Sequence, residues 1–127
     1  MISAKQILSL VIGGALGTVF RYLIYIVTYS KTHAGYSWGT FSVNCIGCFV
    51  MGFAYAFFSG KISMDESLRL MIVVGFCGAF TTFSSFVFEN FCFIRDGQIL
   101  LSFINIIGGV ILGLACLWLG MVLGELV

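Results

Sequence analysis

The sequence predicts an all-α integral membrane protein with four transmembrane helices, and three observations carry that prediction. Of its 127 residues, 61% are hydrophobic and only 9% are charged. A typical soluble chain is roughly 25% charged, so this one lacks the residues for a solvated shell. Its apolar residues gather into four runs, at about 7–29, 39–58, 68–94 and 99–123. Each reaches the roughly 20 residues that cross about 30 Å of hydrocarbon as a helix. The links are short and there is no proline, so a single four-helix domain over residues 1–127 is expected, in a multi-pass plasma or inner membrane setting.

The first run follows Lys5 and exceeds the roughly 7–15 residues of a signal-peptide core, with no small-residue cleavage site, so it reads as a retained span. The first link, "SKTHAGYSW", is polar and offers Tyr36 and Trp38 as interfacial anchors. In the second run Cys45 and Cys48 form a C-x-x-C. With no second cysteine pair and a lone His33 in a loop, all five cysteines (45, 48, 77, 92 and 116) read as small residues buried in apolar segments. The second link, "SGKISMDES", places Ser63 and Glu66 at capping-box spacing ahead of the third run. The third link, "RDGQ", is a tight reverse turn that makes the third and fourth helices antiparallel neighbours. Gly13 and Gly17, Gly109 and Gly113, and Gly120 and Gly124 stand four apart and permit close helix contact.

The third run is the irregular one. Over Leu68–Ile94 it is 27 residues long, about 40 Å of helix, which overshoots the hydrocarbon by around 10 Å and must tilt or break. Its centre reads "GFCGAFTTFSSF", and Gly75, Gly78 and the Thr81–Thr82 pair mark where a break is cheapest. Unwound backbone at that depth is tolerated only in protein or beside a cavity, and its freed carbonyls are ligands for hard cations. Phe80, Phe83 and Phe86 recur every third residue along one face, with the hydroxyls of Thr82 and Ser85 on an adjacent strip. Ring edges are electropositive, so such a stripe can offer an anion contacts without a fixed charge. Helix packing is the competing use of the same rings.

Polar side chains within lipid are costly and are therefore the candidates for function. Arg21 lies roughly 12 Å along the first helix from Tyr29 and can snorkel, form a vestibule or anchor a neighbouring helix. The Asn44 amide can donate to an anion or bond another helix, and Asn105 in the fourth run resembles it. Glu89 can carry a proton, or sit as an interfacial carboxylate near Arg95. A net charge of +1 leaves no basic patch for nucleic acid, and no motif for a nucleotide or covalent chemistry is visible, so no enzyme activity is expected.

Orientation is poorly specified. Lys5, Lys61 and Arg69 fall on the side of the termini, against Lys31, Arg95 and by one reading Arg21 on the other. So even a balance points to insertion in both orientations and pairing with an inverted copy, giving inverted-repeat symmetry from two chains.

These residues resemble the small bacterial fluoride channels called Fluc or CrcB proteins over the whole length. The likeness is carried by "GGALGTVFRY" in the first span, "GTFSVNCIGCF" in the second and "GFCGAFTTFSSF" in the third. The resemblance implies an antiparallel dual-topology homodimer with two fluoride pathways, acting as a passive channel that exports cytoplasmic fluoride. It implies one structural Na+ at the dimer centre, held by the backbone carbonyls of Gly78 and Thr81 of both chains. It places Phe83 and Phe86 along the fluoride path with Asn44 as amide donor, and the adjacent hydroxyls of Thr82 and Ser85 are expected to join that path. Arg21 becomes the basic residue of the first span, and Glu89 falls where the family carries a carboxylate. The fourth span departs from some relatives, having Asn105 and then Gly108 and Gly109 where the family often places hydroxyls.

The alternative is a proton-coupled exporter of a dual-topology four-span type, which needs a carboxylate in the first span; this chain has Arg21 there and only Glu89 as a stand-in. A structural subunit without transport is a third reading, one that gives the broken helix no purpose.

Overall fold

A computed structural model describes residues 3–32, 37–60 and 65–127. Helix α1 covers Ala4–Thr32 and α2 covers Ser37–Gly60. The third span is composite: α3 (Glu66–Arg69), a π-helical segment (Leu70–Cys77), a single turn α4 (Gly78–Phe80) and, after an interruption, α5 (Phe83–Arg95). Helix α6 runs over Ile99–Leu126. Among the described residues four stretches are long and apolar enough to cross a membrane, Ala4–Thr28, Trp38–Ser59, Glu66–Arg95 and Ile99–Leu126. The expectations on His33, Tyr36, Lys61 and Ser63 fall outside the described residues.

Local chemistry explains the ends of the third span. Asp65, the residue before α3, accepts the Ser67 backbone N–H at 3.3 Å and so caps the helix one residue ahead of Glu66. Its carboxylate also meets Lys5 of α1, which holds Asp65 below the usual carboxylate range. At the far end Gly97 turns the chain with φ 76°, a left-handed conformation that glycine enters without a Cβ penalty. Arg95 bonds Asp96 in that same turn at 2.9 Å.

Backbones approach closely along two seams. Helix α1 lies against the π-helical segment, and α6 lies chiefly along α2. A Cβ added to Gly13 would stand 2.1 Å from the Met71 carbonyl oxygen, and one on Gly17 would stand 2.3 Å from that of Phe76. On the other seam, Gly120 faces the Phe49 carbonyl and Gly52 faces that of Leu117 at the same 2.1 Å. Small residues thus replace side-chain interdigitation with direct backbone contact, the economical way to pack helices in lipid. The turn at Gly97 does bring α5 against α6, but it is α2 that α6 follows along its length.

The interior is thin. Val43, Cys77 and Thr40 are fully buried, and Phe80 is 2% exposed. Large apolar side chains cover the outside of α1 and α6, as a surface facing hydrocarbon requires.

Candidate functional site

The interruption of the third span is local and well defined. Thr81 (φ −79°, ψ 158°) and Thr82 (φ −147°, ψ 115°) are both extended. Gly75 and Gly78 stay helical, so the break falls on the threonine pair alone. Before it, the Thr81 N–H and hydroxyl both donate to the Cys77 carbonyl, at 3.0 and 2.9 Å. After it, the Thr82 hydroxyl caps α5 by accepting the Ser85 N–H at 3.3 Å, and donates to the Ser85 hydroxyl at 3.0 Å.

Asn44 braces the gap from α2. Its Oδ1 accepts the Thr82 N–H at 2.8 Å and its Nδ2 donates to the Thr82 carbonyl at 3.2 Å. A side-chain amide here pairs with a peptide as a neighbouring strand would, satisfying both backbone groups of a residue only 7% exposed. Arg21 reaches the same break from α1, donating through a guanidinium nitrogen to the Thr81 carbonyl at 3.4 Å. Of the readings open to Arg21, the structure favours the interhelical anchor.

The break also frees carbonyls. In a continuous helix the Thr82 N–H would return to the Gly78 carbonyl and the Ser85 N–H to that of Thr81. Asn44 and the Thr82 hydroxyl take those donors instead. Around Gly78 nothing lies within 4 Å of where a Cβ would stand, so this backbone faces open space. Uncharged carbonyl oxygens without helical donors are the ligand chemistry of a hard cation, and the Gly78 oxygen fits that chemistry, whereas the Thr81 oxygen already receives Arg21.

Beside the break lies a cavity of about 350 Å³, lined by Asn44, Cys45 and Cys48 of α2, by Thr81 and Thr82, by Phe83 and Phe86 of α5, and by Gly109 of α6 among others. The Phe83 and Phe86 ring centroids are 6.4 Å apart, and Phe83 is 78% exposed, a large ring held out of the fold. Gly109 gives Phe86 its room: a Cβ there would lie 3.2 Å from the ring. Phe80 does not continue the stripe. The extended threonines turn it inward, where it stacks on Phe76 at 5.5 Å. Ser85 lies behind Thr82 and does not line the cavity.

Two further polar clusters flank the site. Glu89 is 4% exposed, so it is a buried carboxylate and not an interfacial partner of Arg95. Its Oε1 accepts from Thr40, whose oxygen lies 2.7 Å from the Tyr25 hydroxyl, while its Oε2 has no partner among the described residues. With the Thr40 proton directed to Glu89, Tyr25 is the donor of that pair. The second cluster was not anticipated. Asn90, buried, accepts from Ser102 at 3.3 Å and from Asn105 at 3.1 Å, and donates to the Phe86 carbonyl at 2.7 Å. It ties α6 to α5 beneath the Phe86 ring. The available signal was a Glu-Asn pair inside an apolar run, and Thr40 one helical turn from Asn44 on the same face.

Comparison with known proteins adds a separate line. The family model described as CrcB-like protein, Camphor Resistance (CrcB), matches residues 8–121. Among similar proteins, the fluoride-specific ion channel FluC of Maridesulfovibrio salexigens is 43% identical over 115 residues, 91% of each chain. That of Phocaeicola vulgatus is 39% identical over 121 residues, 95% of this chain and 99% of the relative. That of Magnetococcus marinus is 36% identical over 122 residues, 96% and 99% of the two chains.

Proposed function

The chain belongs to the CrcB-like family, and from that membership together with the geometry of the break we propose that it is a passive, fluoride-selective channel of the cell membrane, exporting cytoplasmic fluoride down its electrochemical gradient. It is a channel rather than an enzyme. One observation carries the reading: the cavity beside the Thr81–Thr82 break gathers an amide, two threonines and three phenylalanine rings without any fixed charge.

That lining suits fluoride. The ion must exchange a tight hydration shell for protein contacts, and ring edges together with the second N–H of the Asn44 amide supply these, the Thr81 and Thr82 hydroxyl protons being given to the Cys77 carbonyl and to Ser85. With no cationic side chain in the lining, the anion is not trapped, a condition for conduction. Phe83 and Phe86 supply ring edges and Asn44 an amide N–H, while Thr82 shapes the break beside them. Ser85 orients the Thr82 hydroxyl, and Arg21 holds the break while adding positive potential at its mouth. Neutral HF crosses lipid and dissociates in the more alkaline cytoplasm. The membrane potential then drives the trapped anion out, at about 2.3 kcal/mol per charge per 100 mV.

The working unit in this proposal is a homodimer of inverted copies. Three features support it: the outward Phe83 ring beside the cavity, the open space at Gly78, and the even balance of positive charge on the two sides. The Gly78 and Thr81 carbonyls of both chains would hold a structural Na+, which joins the two breaks electrostatically.

A proton-coupled exporter remains the second reading, favoured by the buried Glu89, whose Oε2 has no partner among the described residues. Liposomes loaded with fluoride, read with a fluoride electrode and valinomycin, separate the two. Electrogenic efflux that excludes chloride is the expected result. Absence of fluoride flux, or flux that requires a proton gradient, overturns the channel.

A further inference from the structure

Two thiols open onto the same cavity as the candidate anion groups. Cys45 and Cys48 of α2 both line it. Standing three apart, they leave one helix face about a turn from each other, with Cβ atoms roughly 5–6 Å apart. Cys116 of α6 lies close to both thiols. Gly113, one turn before Cys116, leaves the Cys48 sulfur its space, since a Cβ there would lie 3.5 Å from Sγ. None of the three is in a disulfide.

Their chemistry points to one class of ligand. Among the described residues no group of three or more His, Cys, Asp or Glu side chains is placed to hold a metal ion, so a four-coordinate zinc centre is not built. A soft cation that accepts two sulfur ligands needs no more than this pair. We propose that Cys45 and Cys48 form a binding site for a thiophilic cation of the Hg(II) type, which when bound plugs the cavity between Asn44 and the Phe83 and Phe86 rings. Supplied as the chloride, the cation exchanges ligands without redox change. Two S–H bonds and two Hg–Cl bonds break, two S–Hg bonds form, and two HCl leave. Binding stands on the geometry alone, whereas the plugging of fluoride flux rests on the channel reading.

The test uses the full chain in liposomes, titrated with mercuric chloride. Bound mercury per chain is measured after removal of excess, and fluoride efflux is compared with each variant's own untreated rate. Native protein should be blocked, with recovery in excess dithiothreitol. Cys45→Ser combined with Cys48→Ser should hold one mercury fewer per chain and lose the block, while Cys92→Ser should stay blocked. Should the serine pair fail to assemble, Cys45→Ala with Cys48→Ala serves the same comparison. Equal mercury in native and double variant overturns the site, and mercury bound without block overturns the plug. If untreated protein passes no fluoride, the channel reading fails, and the mercury counts still decide the site.

Discussion

Replacing Asn44 tests the brace of the third span directly. In Asn44→Ala, the Thr82 N–H and carbonyl both lose their partners, at 2.8 and 3.2 Å in the native chain. Each unsatisfied buried group costs about 1–3 kcal/mol, so the break as built loses about 2–6 kcal/mol. The N–H can recover part of that by returning to the Gly78 carbonyl, which lengthens α4 and withdraws an oxygen from the proposed cation site. Asn44→Asp separates the two roles of the amide. Its carboxylate still accepts the Thr82 N–H, so the break keeps its main contact, but it donates nothing and places negative charge in the anion path. Liposome fluoride efflux and gel-filtration profiles in detergent give the readouts. The alanine variant should lose both flux and thermal resistance in detergent; the aspartate variant should assemble better than the alanine variant yet conduct as poorly. Native flux in Asn44→Ala would refute the brace, and native flux in Asn44→Asp would refute the donor role.

Three more outcomes follow from the same geometry. Phe83→Ile or Phe86→Ile should cut fluoride flux by roughly tenfold or more, about 1.4 kcal/mol at the barrier, without preventing assembly; unchanged flux in both would return the rings to packing. Gly13→Val forces a Cβ into the Met71 carbonyl, and overpacking typically costs 1–3 kcal/mol, so its melting midpoint in detergent should fall well below that of Gly14→Val, where the nearest atom is 4.0 Å away. The Lys5–Asp65 pair, at the end of the fold away from the break, holds the Asp65 carboxyl below its ordinary value. Its contribution is therefore complete above the ordinary Asp range and lost as pH falls through the lowered value. A melting series against pH should show this acid-side loss in native protein and its absence in Asp65→Asn.

The break shows how far local reading extends. That the third span must tilt or break followed from its length, and the glycines, threonines and serines in its apolar run marked where a break is cheapest, the Thr81–Thr82 pair among them. Local reading also singled out Gly75 and Gly78, which remain helical, because whether a glycine unwinds depends on what competes for the neighbouring N–H groups. The even spacing of Phe80, Phe83 and Phe86 suggested one stripe. Two extended residues between Phe80 and Phe83 reset the helical phase, and no periodicity count can see that. Glu89 looked interfacial because it is near the end of its span. Its burial is decided by Thr40, 49 positions earlier in the chain.

By itself, then, the sequence determined the solvent and the elements. Apolar runs of bilayer length with few charges leave a chain no stable state in water and only helices within lipid, because each backbone group must find its partner inside its own segment. It also determined which residues were costly enough at that depth to need a purpose. The tertiary structure decided the partners. Glycines let α1 and α6 press onto other backbones, and that contact sets which faces meet. Only then does the Asn44 amide fall opposite Thr82, 38 positions away in the chain, and turn a weak point in a helix into a braced opening. Hydrogen bonding is short-ranged and directional, so a pairing across helices is settled by how the helices pack and not by the pattern within either one.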